Sequence, residues 1–340
     1  MGAVKIAAPF SRPNEVEMLL HFGADELYCG LHTPEWEDCV QGRLWINRRS
    51  PRGANLLSWQ DLAGAVSRAH AENVPVFLTL NSPFYPESAR KYLMRLCRKA
   101  VDDIGVDGFI LSDIPLLIDL GKAGYSVPIH LSSLGACINS HAVNFYRELG
   151  VSRIILPRQL RPSEIMELLK QNREEMDFEV FAVNDGCYFE EGYCQTTHAL
   201  TPFCMTDWET AEMPVHGSDP GSHMKPDSTE NNRTDLRSYL WFLNNCGSTF
   251  QEDRLPNGPC SLCLFGHFRD WGVDAVKIVG REASFFRKMR SLQLVKAVMN
   301  EVLQGARPNE IAHFARRLRS TPDLCVSGLM CYFRESDDLN

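Results

Sequence analysis

Short apolar runs alternate along the chain with longer stretches whose apolar residues recur at helical spacing. Eight of the runs, at 4–8, 26–30, 74–80, 108–111, 127–131, 153–156, 178–183 and 275–279, carry few polar residues. That is the pattern of strands covered on both faces, as in a parallel sheet. Helical periodicity fills 15–22, 59–71, 87–103, 140–149 and 163–170 between them. Ser58 and Ser163 stand where helix N-caps are expected, and Asp61 and Glu164 place negative charge in the first turns.

A short repeat gives this alternation its direction. Gly23-Ala24-Asp25, Gly105-Val106-Asp107, Gly150-Val151-Ser152 and Gly272-Val273-Asp274 each follow a helical stretch and lead into an apolar run. A glycine just past a helix end can take the left-handed conformation that closes it, so each copy marks a helix-to-strand corner. Eight such units close naturally into an α/β fold of the (β/α)8, TIM-barrel-like kind. The rival, an open doubly wound sheet, calls for a glycine-rich phosphate loop after the first strand, and no G-x-G-x-x-G is there. The barrel is the expected fold.

In a barrel the residues just past each strand's carboxyl end form the working face. Here they include His32, Asn81, Asp113, Ser132 with Ser133, Arg158, Asn184 with Asp185, and Arg281. Any one of them could cap a helix. Their recurrence at successive strand ends points instead to a polar cavity, and the two arginines suit a small anionic substrate. Asn81, Asp113, Ser132, Arg158, Asn184 and Arg281 are therefore the candidate substrate-binding residues.

After the seventh strand the pattern breaks. Residues 185–259 have weak periodicity, the mark of a long functional or mobile insertion. Beyond the eighth strand, 283–303 and 308–318 read as closing helices. The expected organisation is one barrel domain over 1–305 that contains the insertion, then a C-terminal helix and acidic tail over 306–340.

Composition narrows the class. Hydrophobic residues make up 44% of the 340 and charged residues 23%, which is globular rather than disordered usage. A net charge of −8 argues against a chain that grips nucleic acid through bulk positive charge. No run approaches eighteen apolar residues and no signal-peptide pattern is visible, so the expected setting is cytoplasmic, without a membrane span.

Twelve cysteines are the oddity, six of them between 187 and 263. Clustered thiols in a reducing compartment point to metal. Cys187 and Cys194 open the insertion, and Cys260 and Cys263 close it as a C-x-x-C. Strands seven and eight are neighbours in a barrel, so these four could converge above one edge of the working face. Cys204 and Cys246 are the reserves. Four thiolates hold an iron–sulfur cluster or a structural zinc, and the irregular C-x6-C spacing of the first pair favours the cluster. Cys29, Cys97 and Cys137 read as small buried hydrophobes. Cys39, Cys325 and Cys331 have no reading. No G-x-S-x-G, H-E-x-x-H or P-loop is present, and His130 and His198 lack a carboxylate at fixed spacing.

Several segments, in their shared order, resemble the family historically labelled peptidase U32. Ala24-Asp25-Glu26-Leu27-Tyr28 resembles its GAD-x-[VL]-Y strand, and Leu131-Ser132-Ser133 through Asn139 to Phe145-Tyr146 its serine, asparagine and F-Y segment. Ile155-Leu156-Pro157-Arg158 is similar to its VLPR, and Glu179-Val180-Phe181 before Cys187 and Cys194 to its E-V-F block. Lys277-Ile278-Val279-Gly280-Arg281 resembles its KIEGR signature, with valine in place of glutamate. That valine removes a carboxylate the signature usually carries.

The resemblance implies a barrel-like fold with a four-cysteine [4Fe–4S] cluster whose first ligands match Cys187 and Cys194. It also implies oxygen-independent hydroxylation of the UbiU/UbiV type, with prephenate as hydroxyl donor. The leading expectation is an iron–sulfur-dependent hydroxylase-like enzyme acting on a small polar or aromatic metabolite. The alternatives are a U32-type peptidase or peptide-modifying enzyme, a non-catalytic iron–sulfur partner subunit of a homologous hydroxylase, and RNA hydroxylation. The acidic charge and a length below that of the RNA-modifying members place the metabolite ahead of nucleic acid.

Overall fold

Eight parallel strands pair in chain order and close on themselves: β1 (Lys5–Pro9), β2 (Glu26–Cys29), β3 (Val76–Leu80), β4 (Gly108–Leu111), β5 (Ile129–Leu131), β6 (Arg153–Ile155), β7 (Asp177–Val183) and β8 (Ala275–Ile278). β8 returns to β1 through Ala275 opposite Lys5 and Lys277 opposite Ala7. The computed structural model describes residues 4–186, 191–193, 258–320, 325 and 331–333. Most of the expected insertion, with Cys187, Cys194, Cys204, Cys246 and His198, lies outside the described residues.

Around the barrel run α1 (Val16–His21), α2 (Pro34–Val40), α3 (Pro51–Ala54), α4 (Trp59–Ala71), α5 (Glu87–Arg98), α6 (Ile114–Lys122), α7 (Ser140–Glu148), α8 (Pro162–Asn172), α9 (Phe265–Trp271), α10 (Phe285–Leu303) and α11 (Pro308–Arg319). None of the described helices is long and apolar enough to cross a membrane. Side chains on the outer strand faces and inner helix faces form one apolar core, with Ile6, Leu27, Leu78, Phe109, Leu131, Ile154, Phe178 and Val276 all buried. The short apolar runs thus have the burial their composition demanded.

The repeated corners have a physical cause. Gly23, Gly105, Gly150 and Gly272 all stand at φ between 80 and 86°, the left-handed region. Two residues on, the acidic side chain reaches the neighbouring strand. Asp25 accepts from Ile6 N at 2.8 Å, Asp107 from Val76 N at 2.7 Å and Asp274 from Phe178 N at 2.8 Å. Ser152 serves the same place by donating to the Ile129 carbonyl at 3.1 Å. Each copy therefore closes a helix and satisfies the start of the preceding strand.

Two boundaries differ from the sequence pattern for reasons proline supplies. β3 and β5 begin after Pro75 and Pro128, which have no N–H for the ladder; their carbonyls still accept from Leu27 N at 2.9 Å and Phe109 N at 3.1 Å. Ser163 is not an N-cap. Pro162 takes the first helical position of α8, where its fixed φ fits, and the cap is Arg161, whose N–H donates to Glu164 at 2.8 Å. Ser58 does cap α4, accepting from Asp61 N at 3.1 Å.

The lower half of the barrel interior is ionic. Arg153 donates to Glu26 at 2.5 and 3.0 Å and to Glu179 at 3.4 Å, and Lys277 donates to Glu179 at 2.7 Å while its ammonium lies 3.8 Å from the centroid of the Tyr28 ring. His130 sits beside this network, its ring 4.2 Å from Phe77, and burial holds its pKa well below the ordinary histidine value. The Glu of the E-V-F block and the Lys of the signature are thus parts of a barrel plug.

Candidate active site

The carboxyl ends of the strands form a polar mouth, and residues 31–58 fold across one side of it. Leu56 returns beside β2, with its N–H to the Gly30 carbonyl and its carbonyl accepting from His32 N, both at 2.9 Å. This return brings Asn47, Arg48, Arg49 and Asn55 to the mouth. Sequence reasoning missed all four. Their signal was the unread stretch between the second strand and the helix at 59, longer than a closing loop requires.

Arg281 lies at the centre. It is 4% exposed, and its guanidinium donates to Asn47 Oδ1 at 3.0 Å and to Asn55 Oδ1 at 3.3 Å. Both partners are neutral carboxamides; no carboxylate among the described residues is within ion-pair distance of it. Burial lowers its pKa from the usual arginine value to about 10. Gly30 leaves the space this cluster fills, since a methyl group there would overlap Asn55 Oδ1 and the Arg281 guanidinium.

The neighbouring arginines are differently placed. Arg49 pairs with Asp185 at 3.0 Å and with Glu282 at 3.8 Å. Arg158 pairs with Glu191 through both its side chain and its backbone N–H, the latter at 3.0 Å, and lies 3.5 Å over the Phe181 ring. Glu191, like Tyr332 and Arg287, was not singled out by sequence. Asn81 joins the mouth through Ser132 at 3.2 Å and Arg48 N at 3.4 Å.

Two expected ligand-binding residues have their polar groups committed elsewhere. Asp113 is the N-cap of α6, accepting from Leu116 N at 2.8 Å and from Tyr85 N at 3.1 Å. Asn184 takes a left-handed backbone at φ 73° and is buried. Its amide donates to Ser291 at 2.7 Å, its side-chain oxygen accepts from Arg287 at 3.1 Å, and its carbonyl accepts from the Tyr332 hydroxyl. These bonds fasten β7 to α10 and to the C-terminal segment. Asp113→Ala is expected to lower stability by about 1–2 kcal/mol without changing anion affinity, as urea unfolding and binding titration would show.

Cys260 and Cys263 stand where the pairing of β7 with β8 implied. Cys260 bridges Val183 at the end of β7, and Ser261 N donates to the Ala182 carbonyl at 3.0 Å. Cys187 and Cys194 lie outside the described residues, and no three His, Cys, Asp or Glu among the described residues are gathered to hold a metal ion. Cys29, Cys97 and Cys137 are buried as expected; burial pushes the Cys29 and Cys137 thiols up to about 12.

A hydroxyl–amine pair near the mouth bears on peptidase chemistry. Lys288 donates to Ser11 Oγ at 2.8 Å, but also to Glu15 at 2.8 and 3.1 Å. An ammonium with its protons so committed has no lone pair to act as a base for serine.

The sequence profile of peptidase family U32 matches residues 11–337. The chain belongs to peptidase family U32. Among its relatives, the tRNA hydroxylation protein P of Escherichia coli strain K12 is 25% identical over 190 residues, 56% of this chain and 38% of that protein. The tRNA hydroxylation protein P1 of Bacillus subtilis strain 168 is 26% identical over 203 residues, 58% of this chain and 42% of that one. An uncharacterized protease of Methanocaldococcus jannaschii is 22% identical over 327 residues, 94% of this chain and 70% of that one. The match thus spans about two fifths of the tRNA hydroxylation proteins. The solved U32 peptidase Mk0906 aligns with a TM-score of 0.41 and 13% identity over 54% of this chain and 70% of that one.

Proposed function

We propose that this U32 chain is an oxygen-independent hydroxylase whose acceptor is an RNA nucleoside and whose mouth seats an anionic group at Arg281. The guanidinium carries the reading. Burying a cation against neutral partners is unfavourable, and the cost is offset when an anion arrives to pair with it. That anion is a phosphate of the acceptor or a carboxylate of the hydroxyl donor, for which prephenate remains the proposal. Arg49 is close enough to Arg281 to act on it electrostatically, and itself pairs with Asp185 at 3.0 Å.

The names of the relatives support RNA over the small metabolite first expected. The net charge of −8 is a property of the whole chain, whereas Arg281 stands at the mouth with only carboxamides bonded to it, and local field decides binding there. The proposed cofactor is a [4Fe–4S] cluster seated by Cys187 and Cys194 with later cysteines, which when bound supplies electron transfer at the rim. Arg281, Asn81 and Ser132 bind and orient substrate.

Mass analysis of tRNA nucleosides tests this. Cells lacking the protein should accumulate a nucleoside one oxygen lighter, restored by the wild type and not by Arg281→Met. An unchanged nucleoside profile overturns the RNA acceptor. The second reading, a small anionic acceptor, is favoured by the depth of Arg281; it requires the profile to stay unchanged while a low-molecular-weight hydroxylated product is lost.

A further inference from the structure

Residues 46–50 form a strap across the mouth. At one end the Ile46 carbonyl accepts from the Tyr85 hydroxyl at 2.5 Å, and Arg48 N donates to Asn81 at 3.4 Å, both partners lying past β3. At the other end Ser50 N donates to Glu282 past β8 at 2.6 Å, and Arg49 reaches Asp185 past β7 at 3.0 Å. Asn47 holds the middle through its 3.0 Å bond from Arg281. Since β1 and β2 separate β8 from β3 around the barrel, the strap spans that side of the opening.

The strap belongs to a stretch of one charge sign. No Asp or Glu occurs from 39 to 60, a range that holds Arg43, Arg48, Arg49 and Arg52. The acids of this connection, Glu35, Glu37 and Asp38, precede it on α2, whose Trp36 ring packs 5.7 Å from Tyr92 of α5. Asp185 and Glu282 face the strap and engage Arg49. Arg43 and Arg52, one beyond each end of the strap, are exposed, and so is Arg12, which follows β1. None of these three bridges a carboxylate among the described residues. Like charges held on one rim repel, and a polyanion laid along them relieves the repulsion.

We propose that Arg12, Arg43 and Arg52 form the rim contacts for single-stranded RNA, pairing with the phosphates on either side of the acceptor nucleoside. The proposal rests on the RNA-acceptor reading and deepens it. A strap across the mouth narrows the way in, so a nucleoside enters singly, extruded from its neighbours. Its flanking phosphates then stay outside, on the face where the three arginines stand. Arg281 and its carboxamides act within the mouth; the rim arginines act on the backbone, which fixes register and carries no base preference.

The full chain is titrated with a labelled single-stranded RNA oligonucleotide of mixed sequence over a range of salt concentrations. The variant Arg12→Gln/Arg43→Gln/Arg52→Gln should lose roughly 10- to 100-fold in affinity at about 0.1 M salt, with the deficit closing towards 1 M. Its slope of log affinity against log salt should be shallower by about 2, at roughly 0.7 for each phosphate contact on a single strand. The control removes the same charge at the far end of the barrel, through Arg95→Gln/Arg98→Gln/Lys122→Gln at the carboxyl ends of α5 and α6. It should keep the wild-type slope. Equal slopes for the two variants, or no binding of the oligonucleotide by the wild type, overturn the proposal. The nucleoside profile judges the acceptor reading separately. A profile that changes while the two slopes stay equal keeps the RNA acceptor and removes the rim contacts; an unchanged profile with a shallower slope does the reverse.

Discussion

Replacing Arg281 with methionine should weaken binding of a dicarboxylate or phosphate by roughly 10- to 100-fold, the loss of a charge-assisted hydrogen bond worth about 1.5–3 kcal/mol. The same change should leave stability unchanged or raise it. Asn47 Oδ1 keeps the Arg49 N–H at 3.2 Å, and Asn55 Oδ1 keeps the Asn47 amide at 2.7 Å, so no acceptor is orphaned when the guanidinium goes. What disappears is a buried cation whose bonded partners are neutral. A residue that is costly to the free protein and profitable to the complex is the signature of a binding group rather than a structural one. Gly30→Ala should reproduce the affinity loss with arginine still present, because its methyl group displaces the Asn55–Arg281 contact. Calorimetric titration beside urea unfolding checks all three.

Glu179→Ala should destabilise the barrel by about 3–5 kcal/mol, since it leaves Lys277 and part of Arg153 charged, buried and unpaired. Glu179 accepts from both cations, while Glu26, with Asp177 at 3.8 Å, continues to hold Arg153. Changing Glu179 and Lys277 together to leucine and methionine should recover most of that loss, because no ion is then left without a partner. Chemical unfolding of the two single variants and the double variant measures the coupling. Additive losses would mean that the plug is not a mutually dependent network.

The architecture was legible because it is written locally. Four glycine corners, each followed by an acidic or hydroxyl residue that caps the neighbouring strand, announce helix-to-strand turns before any long-range contact is known. The mouth was legible only where it is built from strand ends: Arg281, Arg158, Asn81 and Ser132 follow their strands directly. Asn47, Arg49 and Asn55 reach it through a folded-back connection, whose path depends on Leu56 pairing beside β2, and no local pattern encodes that. Asp113 and Asn184 show the converse. A polar residue at a strand end also has backbone groups to satisfy, and in these two cases it does.

A structure of the protein with a bound dicarboxylate is the most direct test of the mouth. The account predicts one carboxylate on the Arg281 guanidinium, with Asn47 and Asn55 still holding the far side of the arginine. A ligand seated elsewhere, with Arg281 bonded only to its two carboxamides, would contradict it.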